Sequence, residues 1–362
     1  MVDMTDLATV PLISADSHVE EPHDLWWDRL PAGMRELAPR KIEAAGEGGW
    51  GLVLNGEPMG WGPGETQRLA ALSVEHRYEV MREDGISAEC VFPTVGLYIW
   101  NLKDPEVGRA CCEIYNDWIL DTLESRSARF RCAGLVPTWD ISDAVREVER
   151  IAARGLGGAM IPLVGTPEWN HTSWEPLWEA LACTGLPVVA HQGTGHDMIF
   201  YRGPGAAVAN LLATQSMAPR CAGLLATSGV LERYPELHFV FVEVNAGWMA
   251  WAMETLDYYY DAFTEIDWVN PRLADKPSAY VARQVHATFQ VDRVALDNRH
   301  RTGAAALLWG SDYPHSESTY PHSRATIAEL FAGVEPDVAA QILGGTAMRL
   351  FHFAPEVATT PV

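Results

Sequence analysis

The stretch CAGLVPTWDISDAVREVERIAARGLGGAMIPL, Cys132 to Leu163, holds one strand–helix–strand unit. Cys132–Pro137 is a short apolar run of the length a buried strand takes. Asp140 stands where a helix N-cap belongs, and Ala144, Val148 and Ile151 then recur on one helical face. Gly155 ends the helix, and Gly158–Leu163 is a second apolar run. The unit predicts two strands side by side with a helix packed across them.

The same alternation continues in both directions. Short β-rich runs fall at Leu12–His18, Ala88–Thr94, Cys132–Pro137, Gly158–Leu163, Pro187–Gln192, His238–Glu243, His286–Gln290 and Leu307–Pro314, with helical-period segments between them. Eight such units predict an α/β fold of the (β/α)8, TIM-barrel type. An open doubly wound sheet would carry a Gly-rich phosphate turn after its first strand, and none follows Leu12–His18. Residues 41–61, Gly-rich with an Asn55-Gly56 turn, read as a small β-hairpin inserted after strand 1. One barrel domain spanning 1–362 is expected, with 354–362 as a loose carboxyl-terminal tail.

Composition narrows the function. The 362 residues are 48% hydrophobic and 20% charged, and 48 acidic residues against 26 basic ones give a net charge of −22. Such a surface repels nucleic-acid phosphates and anionic lipid, so neither is an expected partner. No apolar run reaches the roughly 18 residues of a membrane span. The opening MVDMTDLATV lacks the basic and apolar regions of a signal peptide, so a cytoplasmic protein is expected. Cys90, Cys111, Cys112, Cys132, Cys183 and Cys221 show no CxxC spacing and read as reduced cysteines rather than a disulfide framework or a thiolate zinc site.

In a barrel of this kind, chemistry sits at the carboxyl ends of the strands. Strand 1 ends in Asp16-Ser17-His18, and the i, i+2 spacing aims a carboxylate and an imidazole to one side. Strand 5 ends in VVAHQGTGH, with His191 at the tip and His196 in the loop. Glu243 follows four apolar residues at the end of strand 6, where an unpaired carboxylate would be costly to bury. Strand 8 leads into Asp312 and His315. Each residue alone has an ordinary structural reading, Asp312 as a helix cap for instance. Together at one pole they predict a metal-dependent active site.

These residues also lie in segments that resemble a known family. ISADSHVEEPHDLW, VVAHQGTG, YPELHFVFVEVNAGWMAW and LLWGSDYPHSE are similar to signature segments of the amidohydrolase-related, ACMSD-like branch of the amidohydrolase superfamily. MREDGISAECVFPT and YNDWILDTLESRSARFRCAGLVPTWD extend the likeness over nearly the whole chain. The resemblance implies a distorted metal-bearing (β/α)8 barrel, a hydrolase or non-oxidative decarboxylase, and a homo-oligomer. Position by position it makes Asp16, His18, His191 and Asp312 metal ligands. Two departures stand out. Strand 1 carries Asp-x-His where many relatives have His-x-His or Glu-x-His, and Glu243 replaces the strand 6 histidine usual in decarboxylating members.

Carboxylates beside neutral imidazoles suit Zn²⁺, Mn²⁺ or Fe²⁺, as one ion or two, and the oxygen-rich set tilts the expectation towards manganese or iron. Asp312, Glu243 and His315 are the catalytic candidates. Glu243 is a base, a substrate-orienting group or a further metal ligand. His196, Trp26, Trp248 and Tyr313 are candidates for contacting a small-molecule substrate. The leading expectation is a hydrolase in which metal-activated water attacks a C–N or C–O bond of a small carboxylated or cyclic substrate. Alternatives are a dinuclear Fe/Mn oxygen-activating hydroxylase, a non-oxidative decarboxylase, and a non-catalytic subunit in a hetero-oligomer with a catalytic paralogue.

Overall fold

A computed structural model describes residues 10–43, 50–59, 73–196, 199–359 and 362. Among the described residues eleven strands run in chain order: β1 (Ile13–His18), β2 (Arg40–Glu43), β3 (Trp50–Leu54), β4 (Glu57–Pro58), β5 (Ala88–Phe92), β6 (Phe130–Leu135), β7 (Gly158–Met160), β8 (Val188–His191), β9 (Phe239–Val242), β10 (Val285–Phe289) and β11 (Leu307–Trp309). Eight of them form one sheet in the order β1-β5-β6-β7-β8-β9-β10-β11, and every pairing within it is parallel. The ends meet where Ser17 bridges Tyr313, with Asp312 N donating to Asp16 O at 2.7 Å and His18 N to Tyr313 O at 2.6 Å. The expected (β/α)8 barrel is the observed fold.

The strand–helix–strand unit behaves as its sequence dictates. Asp140 caps the helix Ile141–Arg154 by accepting from Ser142 N and Asp143 N, and Gly155 closes it in a left-handed conformation at φ 92°. Ala144, Val148 and Ile151 are buried. Glu147 is buried beside them. It is held by Asn116 Nδ2 at 2.5 Å and Arg150 at 2.6 Å, so its charge is paired rather than stranded.

β2, β3 and β4 form the expected small antiparallel hairpin sheet. Asn55 (φ 56°) and Gly56 (φ 77°) are both left-handed, as a two-residue hairpin turn demands. Asn55 also reaches Asn101 O at 3.0 Å and accepts from Lys103 N at 2.9 Å, tying the turn to the segment after β5.

Two expectations change. Strand 8 stops at Trp309 rather than Pro314, because Gly310 packs against Asp16 and Asp312 turns left-handed at φ 59°. Asp312 therefore lies on the loop beyond β11. The carboxyl-terminal residues, expected to be loose, form a short helix, Glu356–Thr359, and bury Val357. Among the described residues no helix is long and apolar enough to cross a membrane.

Candidate active site

The carboxyl ends of β1, β8 and β9 and the loop after β11 bring Asp16, His18, His191, Glu243 and Asp312 to one buried point. β1 shifts register between Ser14 and Ser17, and such an irregularity re-aims a side chain. Ser14 Oγ holds it by donating to Asp16 O at 2.7 Å and accepting from Ser311 N at 2.8 Å.

The two imidazoles define the chemistry. His18 Nδ1 lies 2.7 Å from Pro93 O, and His191 Nδ1 lies 2.9 Å from Gln192 O. A carbonyl only accepts, so each Nδ1 carries the proton and each Nε2 presents a lone pair. Burial holds both rings neutral: it presses His18 well below its usual range and His191 down to about 3. Yet the two Nε2 atoms face each other at 3.1 Å. Two lone pairs at that distance repel unless a cation lies between them.

The surrounding donors satisfy the same condition. Asp16 Oδ1 is 3.4 Å from His18 Nε2 and 3.9 Å from His191 Nε2, Asp312 Oδ1 is 3.5 Å from His18 Nε2, and Glu243 Oε2 is 3.5 Å from His191 Nε2. Donors bound at about 2.1 Å around one divalent ion sit roughly 3.0–3.5 Å from their neighbours. Both Asp16 oxygens are buried without a hydrogen-bond partner of good geometry, Thr288 offering only a weak one. The donor set fits a divalent cation. It divides into two overlapping groups, Asp16/His18/His191 and His18/Glu243/Asp312/His315, sharing only His18.

Glu243 and Asp312 both adopt φ 59°, a conformation rare in non-glycine residues and concentrated at functional sites. Glu243 N donates to Thr288 Oγ1 at 2.8 Å, and Gln192 Nε2 donates to Glu243 Oε1. Gln192 is itself oriented by Thr214 Oγ1 at 3.0 Å. Burial, then neighbouring carboxylates, raise Asp16 and Glu243 well above the ordinary carboxylate range. The charged groups weighing most on Asp16 are Asp312, His315 and Glu317, and those on Glu243 are Asp312, Asp16, His315 and Glu317. His315 Nδ1 sits 2.9 Å from Asp312 Oδ1, and its ring lies 4.1 Å from that of His18.

The four expected substrate contacts separate differently. Trp26 is 1% exposed and gives its N–H to Cys111 O at 3.0 Å, which ties it to the helix Pro105–Thr122. Tyr313 is also buried, packed on Tyr320 at 5.0 Å and clustered with Val80. Trp248 is half-buried, with its N–H on Asn245 O at 2.9 Å and its ring edge-on to Phe241. His196 packs against Phe200 at 5.7 Å and stands outside both donor groups.

Sequence reading missed Gln192, Thr288 and Arg77. Arg77 is fully buried, 2.5 Å from Glu89 and donating to His18 O at 2.8 Å. Its neighbours in EHRYEVMRED are mostly polar, so it passes for a solvated helix residue. Gln192 had a visible signal, as a polar residue directly after His191.

A family model described as amidohydrolase matches residues 18–353. The chain belongs to the amidohydrolase family. The match spans all four site-bearing strand ends except Asp16. No curated protein matches this amidohydrolase. Among solved structures it is similar to an amidohydrolase from Mycobacterium avium subsp. paratuberculosis K-10, at 18% identity and TM-score 0.76, over 94% of this chain and 99% of that one. It is similar also to 5-carboxyvanillate decarboxylase from Sphingomonas paucimobilis, at 22% identity and TM-score 0.69, over 95% and 100%. A third is dihydroxybenzoic acid decarboxylase from Polaromonas sp. JS666, with bound manganese and the inhibitor 2-nitroresorcinol, at 16% identity and TM-score 0.66, over 97% and 99%. At these identities the likeness establishes the fold.

Proposed function

We propose that this amidohydrolase is a metal-dependent hydrolase of small amides or esters whose reacting group is uncharged. Asp16, His18, His191 and Asp312 hold the cation, and manganese is the first candidate given the ion bound in the Polaromonas decarboxylase. When bound, a divalent cation there supplies Lewis acidity, polarising a carbonyl and easing the ionisation of water. The observation that carries the reading is Glu243. Its carboxylate, forced into the site by a left-handed backbone, stands 3.5 Å from His191 Nε2 with Gln192 fixing the other oxygen. Glu243 Oε2, ionised beside the cation, takes the proton of the attacking water as a general base. Glu243 then gives that proton to the leaving nitrogen or oxygen, while Asp312 is held in place by His315 Nδ1 on its Oδ1. His18 and His191 stay neutral throughout, held by their carbonyl partners.

Non-oxidative decarboxylation is the second reading, favoured by the decarboxylases among the similar structures. Its difficulty is charge: the three carboxylates Asp16, Glu243 and Asp312 with one divalent ion would leave the site negative, which disfavours a substrate carboxylate. The test is anaerobic purification with metal analysis, then assay against cyclic amides, esters and hydroxybenzoates. One equivalent of metal with amide or ester cleavage supports hydrolysis. CO2 release from a hydroxybenzoate moves the assignment to the lyase. Two equivalents including iron, with oxygen consumption, move it to the oxygenating alternative that the two donor groups permit.

A further inference from the structure

A cavity of about 310 Å³ opens at the amino-terminal pole of the barrel, opposite the strand ends that carry Asp16 and His191. Its volume is at the lower end of what small-molecule sites take. Leu186 and Pro187 line it just before β8, and His238 just before β9. Arg349 and His352 reach it from the helix Thr346–Leu350 and the turn that follows.

Basic groups converge there. Arg349 is exposed, and among the described residues no carboxylate pairs with its guanidinium. In a chain with 48 acidic residues and 26 basic ones, an arginine without an acid beside it is the less expected outcome. His286 Nδ1 donates to Ala305 O at 2.8 Å, so His286 Nε2 is an acceptor and takes the His238 Nδ1 proton at 3.0 Å. His238 Nε2 is the atom left over, a lone pair in the neutral ring and a donor in the charged one. Burial first, then the Arg349 charge, holds His238 below its usual range, and Glu236 opposes them more weakly. Among the described residues Glu236 is the one acid that lines the cavity. The last carbonyls of the helix Glu175–Thr184 would repel an anion, but they are occupied. Gly185 N and Thr184 Oγ1 take Leu181 O at 3.2 and 3.0 Å, and His352 Nε2 takes Gly185 O at 3.1 Å.

An anion beside Arg349 reverses the balance at His238. It offsets the charge that disfavours the imidazolium, and Nε2, once protonated, becomes a second donor to the same anion. Glu236 and the net charge of −22 count against a dianion. The rest of the wall, Leu186, Pro187 and Leu350, suits a short hydrocarbon body. We propose that this cavity binds a small monocarboxylate, its carboxylate on Arg349 and His238 Nε2 and its apolar part against Leu186, Pro187 and Leu350. The inference is independent of the reaction assigned above, since no residue of the metal site lines the cavity.

Cys183 lines the same cavity and is exposed, which provides a reporter at the site itself. The metal-loaded full chain is alkylated with iodoacetamide in the presence of benzoate, and labelling of Cys183 is followed by peptide mass spectrometry. Benzoate at roughly millimolar concentration should slow that labelling at least about threefold, and uncharged benzamide should not. Arg349→Gln should abolish the protection with an unchanged far-UV circular dichroism spectrum, because the side chain is exposed. The titrating groups around the anion are His238, His286, His352, Glu236 and Cys183 itself, so the readout at each pH is the half-protecting benzoate concentration. It should fall at least about threefold from pH 7.5 to pH 6.0 as His238 takes up its proton, and His238→Gln should flatten that dependence. No protection by benzoate, equal protection by benzamide, or protection that survives Arg349→Gln overturns the proposal. A pH dependence unchanged in His238→Gln overturns the part given to His238.

Discussion

Asp312 N donates to Asp16 O at 2.7 Å, so one of the hydrogen bonds that close the barrel also fixes two carboxylates of the site. The first and last strands are therefore coupled to the site's geometry, and changes at the seam should be felt in metal affinity.

Gly310 lies at that seam. A Cβ there would clash with Asp16 Cβ and come within 2.8 Å of Asp16 N, backbone that has nowhere to move. Gly310→Ala should destabilise by about 1–3 kcal/mol, as overpacking does. Because the displaced residue is Asp16, metal affinity should fall at least about tenfold as well. Calorimetry with metal titration checks both effects, and undiminished affinity would show that Asp16 does not bind the ion.

Arg77 and Glu89 form a fully buried ion pair, and Arg77 also holds the carbonyl of His18. Arg77→Leu leaves Glu89 charged and uncompensated, at a cost of about 3–5 kcal/mol. The paired change Arg77→Leu with Glu89→Leu should recover much of that loss, because replacing both charges removes the stranded one. Urea denaturation of both variants measures the difference. A single variant as stable as the wild type would refute the pairing.

His191→Ala should abolish metal binding while leaving the barrel folded, since His191 sits at a strand tip and the strand pairing does not use its side chain. Metal content per chain and far-UV circular dichroism read the two properties separately. Full metal occupancy in a folded variant would make His191 structural.

At the opposite pole, burial presses the pKa of His286 from its usual 6.5 down to about 3. Its Nδ1 donates to Ala305 O, and its Nε2 accepts from His238 Nδ1. The folded state therefore favours neutral His286. The associated stability is complete above pH 6.5 and is eroded as pH falls towards 3. Relative to His286→Gln, metal-free wild type should lose about 1.4 kcal/mol between pH 7.5 and pH 5.5, one unit below the unfolded value. Equal losses in the two proteins would mean that His286 is protonated inside the fold.

The barrel was legible because its signal is periodic. Asp140, the Ala144–Val148–Ile151 stripe and Gly155 specify a helix locally, and eight repetitions leave one closed parallel arrangement. The strand-tip donors were legible because a charged residue after an apolar run has few structural explanations. What escaped depends on contacts far apart in the chain. Arg77 is 12 residues from Glu89 and 59 from His18 O, and nothing in its helix marks it as buried. Tyr313 directly follows Asp312, yet its ring packs on Tyr320, since successive side chains of an extended segment point to opposite sides.

Glu243 is where the proposed chemistry is most exposed to test. It is 7% exposed, left-handed at φ 59°, and surrounded by Asp16 and Asp312, whose charges add to burial in raising its pKa. A divalent cation beside it offsets those charges and restores the ionised form, so a carboxylate costly in the metal-free protein becomes a base in the loaded one. Glu243→Gln keeps the shape and the reach to Gln192 while removing the proton acceptor. Turnover should fall by at least about 10²-fold, with metal content unchanged. Metal-free Glu243→Gln should be at least as stable as metal-free wild type at pH 8, because the mutation removes a buried charge from a cluster of like charges. Loss of metal together with turnover would make Glu243 a ligand and favour the two-ion reading. Unchanged turnover would remove it from the mechanism and leave Asp312 with His315 as the proton carriers.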